Sequence, residues 1–233
     1  ADTGVTLKLG CRATVAELSD FDEVVLATGV NPRKLDLPGI DHPSVLSYLD
    51  VLKHNRSVGA RVALIGAGGI GFDVAEFLSH SDDNADPIDG YLAEWGVDKT
   101  LTERGGLKPT LTPASAREIT LCQRRKGKLG ANLGKTTGWI HRSALKNRNV
   151  TMLARCQYVK IDDAGLHIQI DGIDRVLEVD NVIICAGQTS ERSLEAPLVK
   201  QGVTVHVIGG ASEASELDAR RAFDQGTRLA AKI

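Results

Sequence analysis

Six consecutive residues, Gly66-Ala67-Gly68-Gly69-Ile70-Gly71, carry the most specific chemical signal in the chain. They follow the apolar run Arg61-Val62-Ala63-Leu64-Ile65 and precede Val74, Phe77 and Leu78 at helical spacing, so strand, glycines and helix come in the order that a phosphate-cradling turn requires. Gly66 permits the tight turn, Gly68 lets the backbone approach a diphosphate, and Gly71 lets helix and strand come close. Gly69 and Ile70 open the helix, whose free N–H groups and positive dipole end face the phosphates. The expected chemistry is the grip of a dinucleotide; a ligand-free glycine-rich turn is the plainer alternative.

The second signal is cationic. An acid that binds a ribose 2′-OH is expected ~20 residues after such a motif, near Asp86 or Asp89, but neither ends a strand. Residues 79–116, with Pro87, Pro109 and Pro113 and a helical candidate at Gly90–Val97, read as an inserted excursion. The next strand, Glu118–Gln123, ends in Arg124-Arg125-Lys126. Cations where the acid belongs point to a 2′-phosphate, hence NADP; a solvated basic turn is the alternative.

Other residues are weaker candidates. Gly134-Lys135-Thr136 resembles a triphosphate-binding loop, but Leu129 stands where that motif needs glycine, and the nucleotide-triphosphatase reading is rejected. In a helix starting near Thr137, Trp139 either stacks on a cofactor ring or packs in the core, and His141, without a partner at metal spacing, reads as hydrogen-bonded or solvated. Cys11, Cys122, Cys156 and Cys185 are widely spaced without a CxxC, which points to reduced structural thiols in a reducing compartment rather than a zinc or dithiol centre. No metal site and no catalytic acid or base is expected.

The elements that must position these residues show a repeat. Val5–Cys11 and Val150–Cys156 share Val, Thr and Cys at one offset, and Asp22–Gly29 resembles Asp180–Gly187. Each copy reads as a strand, a meander and a buried strand ending in a small residue and Gly; Tyr158–Ile161 and Leu166–Ile170 form the hairpin of the second copy. The C-terminal segment reads as a strand, Thr204–Ile208, then Gly209-Gly210, then a helix with Ala219, Ala222, Phe223, Gly226, Leu229, Ala230 and Ile233 on one face. The expected fold is α/β, with two nested Rossmann-like dinucleotide-binding domains of the pyridine nucleotide-disulfide reductase type. The first is incomplete. Residues 1–56 are assigned to a partial FAD-binding domain, 57–188 to an NADPH-binding domain and 189–233 to the return segment of the first. A start without Met or a signal-like profile suggests a fragment of a longer chain.

Composition excludes several classes. With 28 basic and 30 acidic residues among 233, the formal charge of −2 gives no bulk attraction to nucleic acid. A 42% hydrophobic and 25% charged composition is that of a globular protein. Apolar runs such as Val24–Ala27 and Val182–Ala186 are far too short to cross a bilayer, so no membrane association is expected.

Ala27-Thr28-Gly29-Val30-Asn31-Pro32, Leu37-Pro38-Gly39-Ile40, the glycine motif, Ile184-Cys185-Ala186-Gly187 and Ile208-Gly209-Gly210 resemble flavoprotein oxidoreductases with two dinucleotide domains. Gln123-Arg124, Leu133 to Arg142 and Glu216 to Arg221 look more closely like the C-terminal part of bacterial NADPH-dependent 2,4-dienoyl-CoA reductases, of the Old Yellow Enzyme-related family. That resemblance implies an N-terminal FMN barrel and a [4Fe-4S] cluster in the same polypeptide but outside these residues, then the FAD and NADPH domains. NADPH would pass a hydride to FAD, and electrons would move singly through the cluster to FMN for reduction of the dienoyl thioester in unsaturated fatty acid β-oxidation, in the cytoplasm. By position, Arg124 and Arg125 would bind the 2′-phosphate and Trp139 would border the NADPH site, with Gly187 beside it. Thr28, Gly29 and Gly210 would line FAD, and Leu217, Asp218 and Ala219 would meet the flavin. This chain alone is not expected to reduce the acyl-CoA. Two rivals stand beside this reading. One is a disulfide reductase, against which the missing CxxC counts; the other is a structural ADP-binding domain, as in amine dehydrogenases, which needs no 2′-phosphate partner.

Overall fold

In the computed structural model, which describes residues 3–80, 87–215, 217 and 219–233, Val62, Ala63, Leu64 and Ile65 are all fully buried. A strand buried on both faces is the mark of a parallel sheet covered on each side, and the continuous apolar run before the glycine motif follows from that. Two units form, residues 1–33 with 188–233, and residues 34–187.

The first unit opens with α1 (Val15–Leu18), capped reciprocally by Thr14 and Glu17, then β1 (Glu23–Leu26) and β2 (Val30–Pro32). The second contains β3 (Val45–Ser47), α2 (Tyr48–Leu52), β4 (Arg61–Ile65), α3 (Gly69–Ser79), α4 (Pro87–Glu94), β5 (Glu118–Cys122), α5 (Gly138–Asn147) and β6 (Thr151–Leu153). It ends with β7 (Gln157–Asp162), β8 (Gly165–Ile170), β9 (Ile173–Leu177) and β10 (Asn181–Ile184). The chain returns to the first unit through β11 (Gln188–Ser190), α6 (Glu195–Lys200), β12 (Thr204–Val207) and α7 (Ala219–Ala230).

The second unit is a five-stranded parallel sheet in the order β3-β10-β4-β5-β6. Alternate residues feed opposite cores. Val62, Leu64, Ile119, Leu121 and Ile183 pack with Phe72, Val74 and Leu145 on the helical face, while Ala63, Ile65, Val182 and Ile184 pack with Leu166 and Ile168 of the meander β7-β8-β9. In the first unit β1 pairs in parallel with β12 and β2 antiparallel with β11, over a core of Val24, Leu26, Leu198 and Val203. The expected α/β, Rossmann-type class is the one observed.

Several local expectations differ. Val5–Cys11 forms no strand, and Val5, Leu7 and Leu9 are exposed, because no strand of its unit takes it as a partner. The meander expected in the first copy is replaced by the capped turn α1. Residues 34–56, grouped by sequence with the first segment, lie in the second unit, where β3 joins the sheet beside β10. The excursion helix lies at Pro87–Glu94, earlier than Gly90–Val97. Phe77 is 54% exposed although Val74 and Leu78 are buried. On α7 the apolar face forms as a helix stripe, yet Phe223 is 75% exposed.

Two buried polar residues fix the excursion. The Asp98 carboxylate accepts from the N–H groups of Thr100, Thr102 and Glu103, from both threonine hydroxyls and from Lys108 Nζ at 2.8 Å. Arg148, only 2% exposed, donates to Glu94 through Nε at 3.1 Å and Nη2 at 2.9 Å, and to Ser79 O at 3.2 Å.

Candidate functional site

In the second unit, β4 and β10 end side by side, and the turn after β4 is forced by close packing. Gly66 has φ +112° and donates its N–H to Cys122 O at 2.9 Å. A Cβ there would meet Cys185 O at 2.6 Å and Ala186 Cα at 3.0 Å, and one at Gly71 would lie 1.8 Å from Gly66 O. Gly68 and Gly69 are the opposite case: a Cβ at either would find nothing within 4 Å. Gly66 and Gly71 therefore hold strand, helix and β10 together, while Gly68 and Gly69 present bare backbone to open space. The first turn of α3 from Gly69 through Ile70 leaves N–H groups without helical acceptors, and the residues fit the diphosphate of a dinucleotide. Gly187, at φ +89° with its N–H on Cys185 O, closes the same corner.

The basic turn lies beyond the end of β5. Gln123 Nε2 donates to Arg125 O and Gly127 O at 3.1 Å each, and Arg155 N–H donates to Arg125 O, which shapes the turn and leaves Arg124, Arg125 and Lys126 exposed. Arg124 lines a cavity of about 240 Å³ with Asp36, Leu37, Gln157, Tyr158 and Ala186. Tyr158 donates to Cys122 O at 3.1 Å, and burial pushes its phenol above the ordinary range.

Trp139 does not pack in the core. It is 56% exposed and lines a separate cavity of about 620 Å³ with Lys128, Arg142, Ser143 and Lys146. His141 bonds Glu76 Oε2 at 3.1 Å. Sequence reasoning named Arg142 but did not place it with Ser143 and Lys146 beside Trp139, although their spacing from Trp139 by three, four and seven residues is the signal of one helix face. It also missed that Cys122 and Cys156 lie side by side. The Cys122 thiol bonds that of Cys156, and this contact together with burial raises it.

In the first unit, Thr28, Gly29, Gly210 and Leu217 come together. Gly29 has φ +76° with open space where a side chain would be, and its O accepts from Glu191 N–H at 3.0 Å. A Cβ at Gly210 would stand 3.1 Å from both Val30 Cγ1 and Leu217 Cδ2 and 3.3 Å from Gly29 Cα. Thr28 donates its hydroxyl to Glu191 O at 2.5 Å and lines a cavity of about 380 Å³ with Cys11, Arg12, Ala13 and Asn31. Hydrogen bonds from Ser193, through side chain and N–H, and from Asn31 hold the Glu191 carboxyl down at about 2. Glu191 and Ser193 line the same cavity, so the wall that holds Arg12 also carries a carboxylate. Ala219 begins α7 and is exposed; Asp218 and Glu216 lie outside the described residues.

A family model described as pyridine nucleotide-disulphide oxidoreductase matches residues 4–212. The chain belongs to that family. Its members are oxidoreductases that combine FAD with a pyridine nucleotide. Among curated proteins, the chain is 25% identical over 218 residues to a metal reductase of Desulforamulus reducens, covering 90% of this chain and 31% of that one. It is 24% identical over 220 residues to a cinnamate reductase of Clostridium sporogenes, covering 93% and 28%. Among solved structures, a 2-naphthoyl-CoA reductase matches with TM-score 0.74 at 24% identity, covering 99% of this chain and 30% of that chain. The chain thus spans less than a third of the length of each of these relatives. Among the described residues no helix is long and apolar enough to cross a membrane.

Proposed function

We propose that the chain is the NADPH-accepting, electron-input module of a larger flavoprotein that reduces 2,4-dienoyl-CoA thioesters in unsaturated fatty acid oxidation, in the cytoplasm. In this reading the backbone from Gly66 through Gly68, Gly69, Ile70 and Gly71 holds the NADPH diphosphate, Arg124 and Arg125 select the 2′-phosphate, Trp139 borders the NADPH site, and Gly187 flanks the dinucleotide. Thr28, Gly29, Gly210, Leu217, Asp218 and Ala219 belong to the FAD site. When bound, the reduced nicotinamide supplies a hydride and the flavin accepts it; this chain contributes positioning and no proton. FMN and [4Fe-4S] belong to the rest of the polypeptide, which is the partner this module serves.

One observation carries the reading: two close-packed glycines frame two open ones at the carboxyl end of a central parallel strand, and cations follow the neighbouring strand. The thioester class is supported by the 2,4-dienoyl-CoA reductase-like motifs; a solved structural neighbour is itself a 2-naphthoyl-CoA reductase. Calorimetric titration tests it. NADPH is expected to bind at least about tenfold more tightly than NADH, as one charge-assisted contact provides. Equal affinities would remove the NADP assignment, and equally tight ADP with no hydride transfer would favour a structural nucleotide-binding role instead. An absorbance spectrum of the purified chain reports retained flavin directly.

A further inference from the structure

Cys122 ends β5 at a point where two turns are anchored. Its carbonyl oxygen accepts from Gly66 N–H at 2.9 Å, which starts the glycine turn, and from the Tyr158 hydroxyl at 3.1 Å. The basic turn begins two residues on, at Arg124. Cys156 is held against this strand end by backbone bonds in which no sulfur takes part. Its N–H donates to Gln123 O at 3.0 Å, Gln123 N–H donates to Leu153 O at 2.8 Å, and Arg155 N–H donates to Arg125 O at 3.2 Å. The parallel register of β5 and β6 sets Cys122 beside Leu153, three residues before Cys156.

Both cysteines are fully buried in the core cluster on the meander face, and their thiols bond each other. Cys156 Sγ in turn donates to Leu153 O at 3.5 Å. The two thiols are polarised in opposite directions. The bond from Cys122 first, then the Gln123 N–H and the charge of Arg175, lower the Cys156 thiol, whereas that same bond and burial raise Cys122. Cys156 is therefore the thiol that reaches the reactive anion, with a resolving thiol already beside it. Open space of about 240 Å³ lies against the residues that follow both cysteines, Arg124 on one side and Gln157 and Tyr158 on the other. Such a space admits a molecule the size of hydrogen peroxide.

We propose that Cys122 and Cys156 are a redox pair that hydrogen peroxide closes into a reversible disulfide, and that closure loosens the nucleotide site. The Cys156 thiolate attacks one peroxide oxygen, the O–O bond breaks, and the hydroxide that leaves takes up the proton Cys156 released. The Cys122 thiol then attacks the sulfur of the resulting sulfenic acid; the S–S bond forms, and the sulfenic hydroxyl leaves with the Cys122 proton as water. The two cysteines lose two electrons, the peroxide gains them, and two waters form. Drawing two sulfurs from contact to a covalent bond pulls the end of β5 toward residue 156, and so moves the Cys122 carbonyl away from Gly66 N–H and Tyr158. The effect on nucleotide rests on the NADPH reading above; the disulfide does not.

The test treats the prereduced whole chain with hydrogen peroxide in a Cys11→Ser background, which removes the exposed thiol and leaves three buried ones. Thiols counted in denaturant are expected to fall from three to one, with a peptide pair joined through Cys122 and Cys156. Intact mass is expected to fall by two hydrogens, and dithiothreitol to reverse every change. NADPH affinity by calorimetry is expected to weaken at least about threefold on oxidation, as one displaced hydrogen bond provides, and to return on reduction. Cys122→Ala, with a matched thermal midpoint, is expected to stop at a Cys156 sulfenic acid that dimedone traps. Three thiols surviving peroxide in the folded chain, or a link through Cys185 instead, would overturn the inference. A joined pair with unchanged NADPH affinity would overturn the loosening. If the reduced chain binds no NADPH, the NADPH reading falls, and the thiol count still decides the disulfide.

Discussion

A Cβ placed on Gly71 would lie 1.8 Å from the carbonyl oxygen of Gly66, so the first turn of α3 can meet the end of β4 only while residue 71 has no side chain. The two glycines set the approach of helix to sheet, and that approach aims the backbone of Gly68 and Gly69 at empty space. Stability and binding are thus assigned to different glycines of one motif.

Gly71→Ala is therefore expected to destabilise the chain by about 1–3 kcal/mol or more through overpacking against backbone that cannot yield. Gly68→Ala meets nothing within 4 Å and is expected to leave the urea midpoint within about 0.5–1 kcal/mol of wild type. Urea unfolding of the two variants side by side checks the contrast.

Arg148 is the buried pin between α5 and the excursion. Truncation to Ala leaves Glu94 and the Ser79 carbonyl without their donor and is expected to cost about 3–5 kcal/mol. Pairing Arg148→Met with Glu94→Leu removes both charges and is expected to recover a substantial part of that loss in a double-mutant cycle.

The excursion's response to acid follows from Asp98. The contact with Lys108, then hydrogen bonds from the Thr100 side chain and the Glu103 and Thr100 N–H groups, hold this carboxyl far below the ordinary range. A depressed native value means that the contribution is complete above the unfolded value, about 4, and is lost as pH falls below it toward the native value. Proteolysis of residues 95–111 is expected to stay slow from neutral pH down to about 4 and to rise only in stronger acid. Asp98→Asn is expected to make the segment labile already at pH 7; equal protection in that variant would show that the carboxylate charge is not needed.

Thiol titration gives an independent check on the core. Cys11 is exposed, whereas Cys122, Cys156 and Cys185 are buried, and burial pushes the Cys185 thiol up to about 12. A disulfide reagent at neutral pH is expected to modify Cys11 quickly and the other three only after denaturation. Four fast thiols in the native chain would contradict the packing around β5 and β10.

What the sequence made legible was local and repetitive in the right period. The apolar run before Gly66, the glycines, the strand that leads into the basic turn at Arg124 and the β7–β8 hairpin each combine a strong short-range pattern with a demanding backbone geometry. Less was legible wherever the answer depends on a partner distant in sequence. Val5–Cys11 has the composition of a strand but no neighbour in its unit to bond, and Phe77 lies off the face of α3 that Phe72, Val74, Ala75 and Leu78 bury. Arg148 and Glu94 are ordinary charged residues until the chain brings them together. At the candidate site, Arg124 and Trp139 were visible as types, but they line different cavities, and the cations that share Trp139's cavity became apparent only once α5 had a direction.

The most direct test of the central claim is the NADPH affinity of Gly68→Val, measured by calorimetry beside wild type after matched unfolding midpoints confirm an intact fold. A branched side chain in the open cradle is predicted to weaken NADPH by at least about tenfold, because it occupies the space that the diphosphate must enter. Undiminished NADPH binding by that folded variant would contradict the account, since the dinucleotide would then be held somewhere other than the turn between β4 and α3.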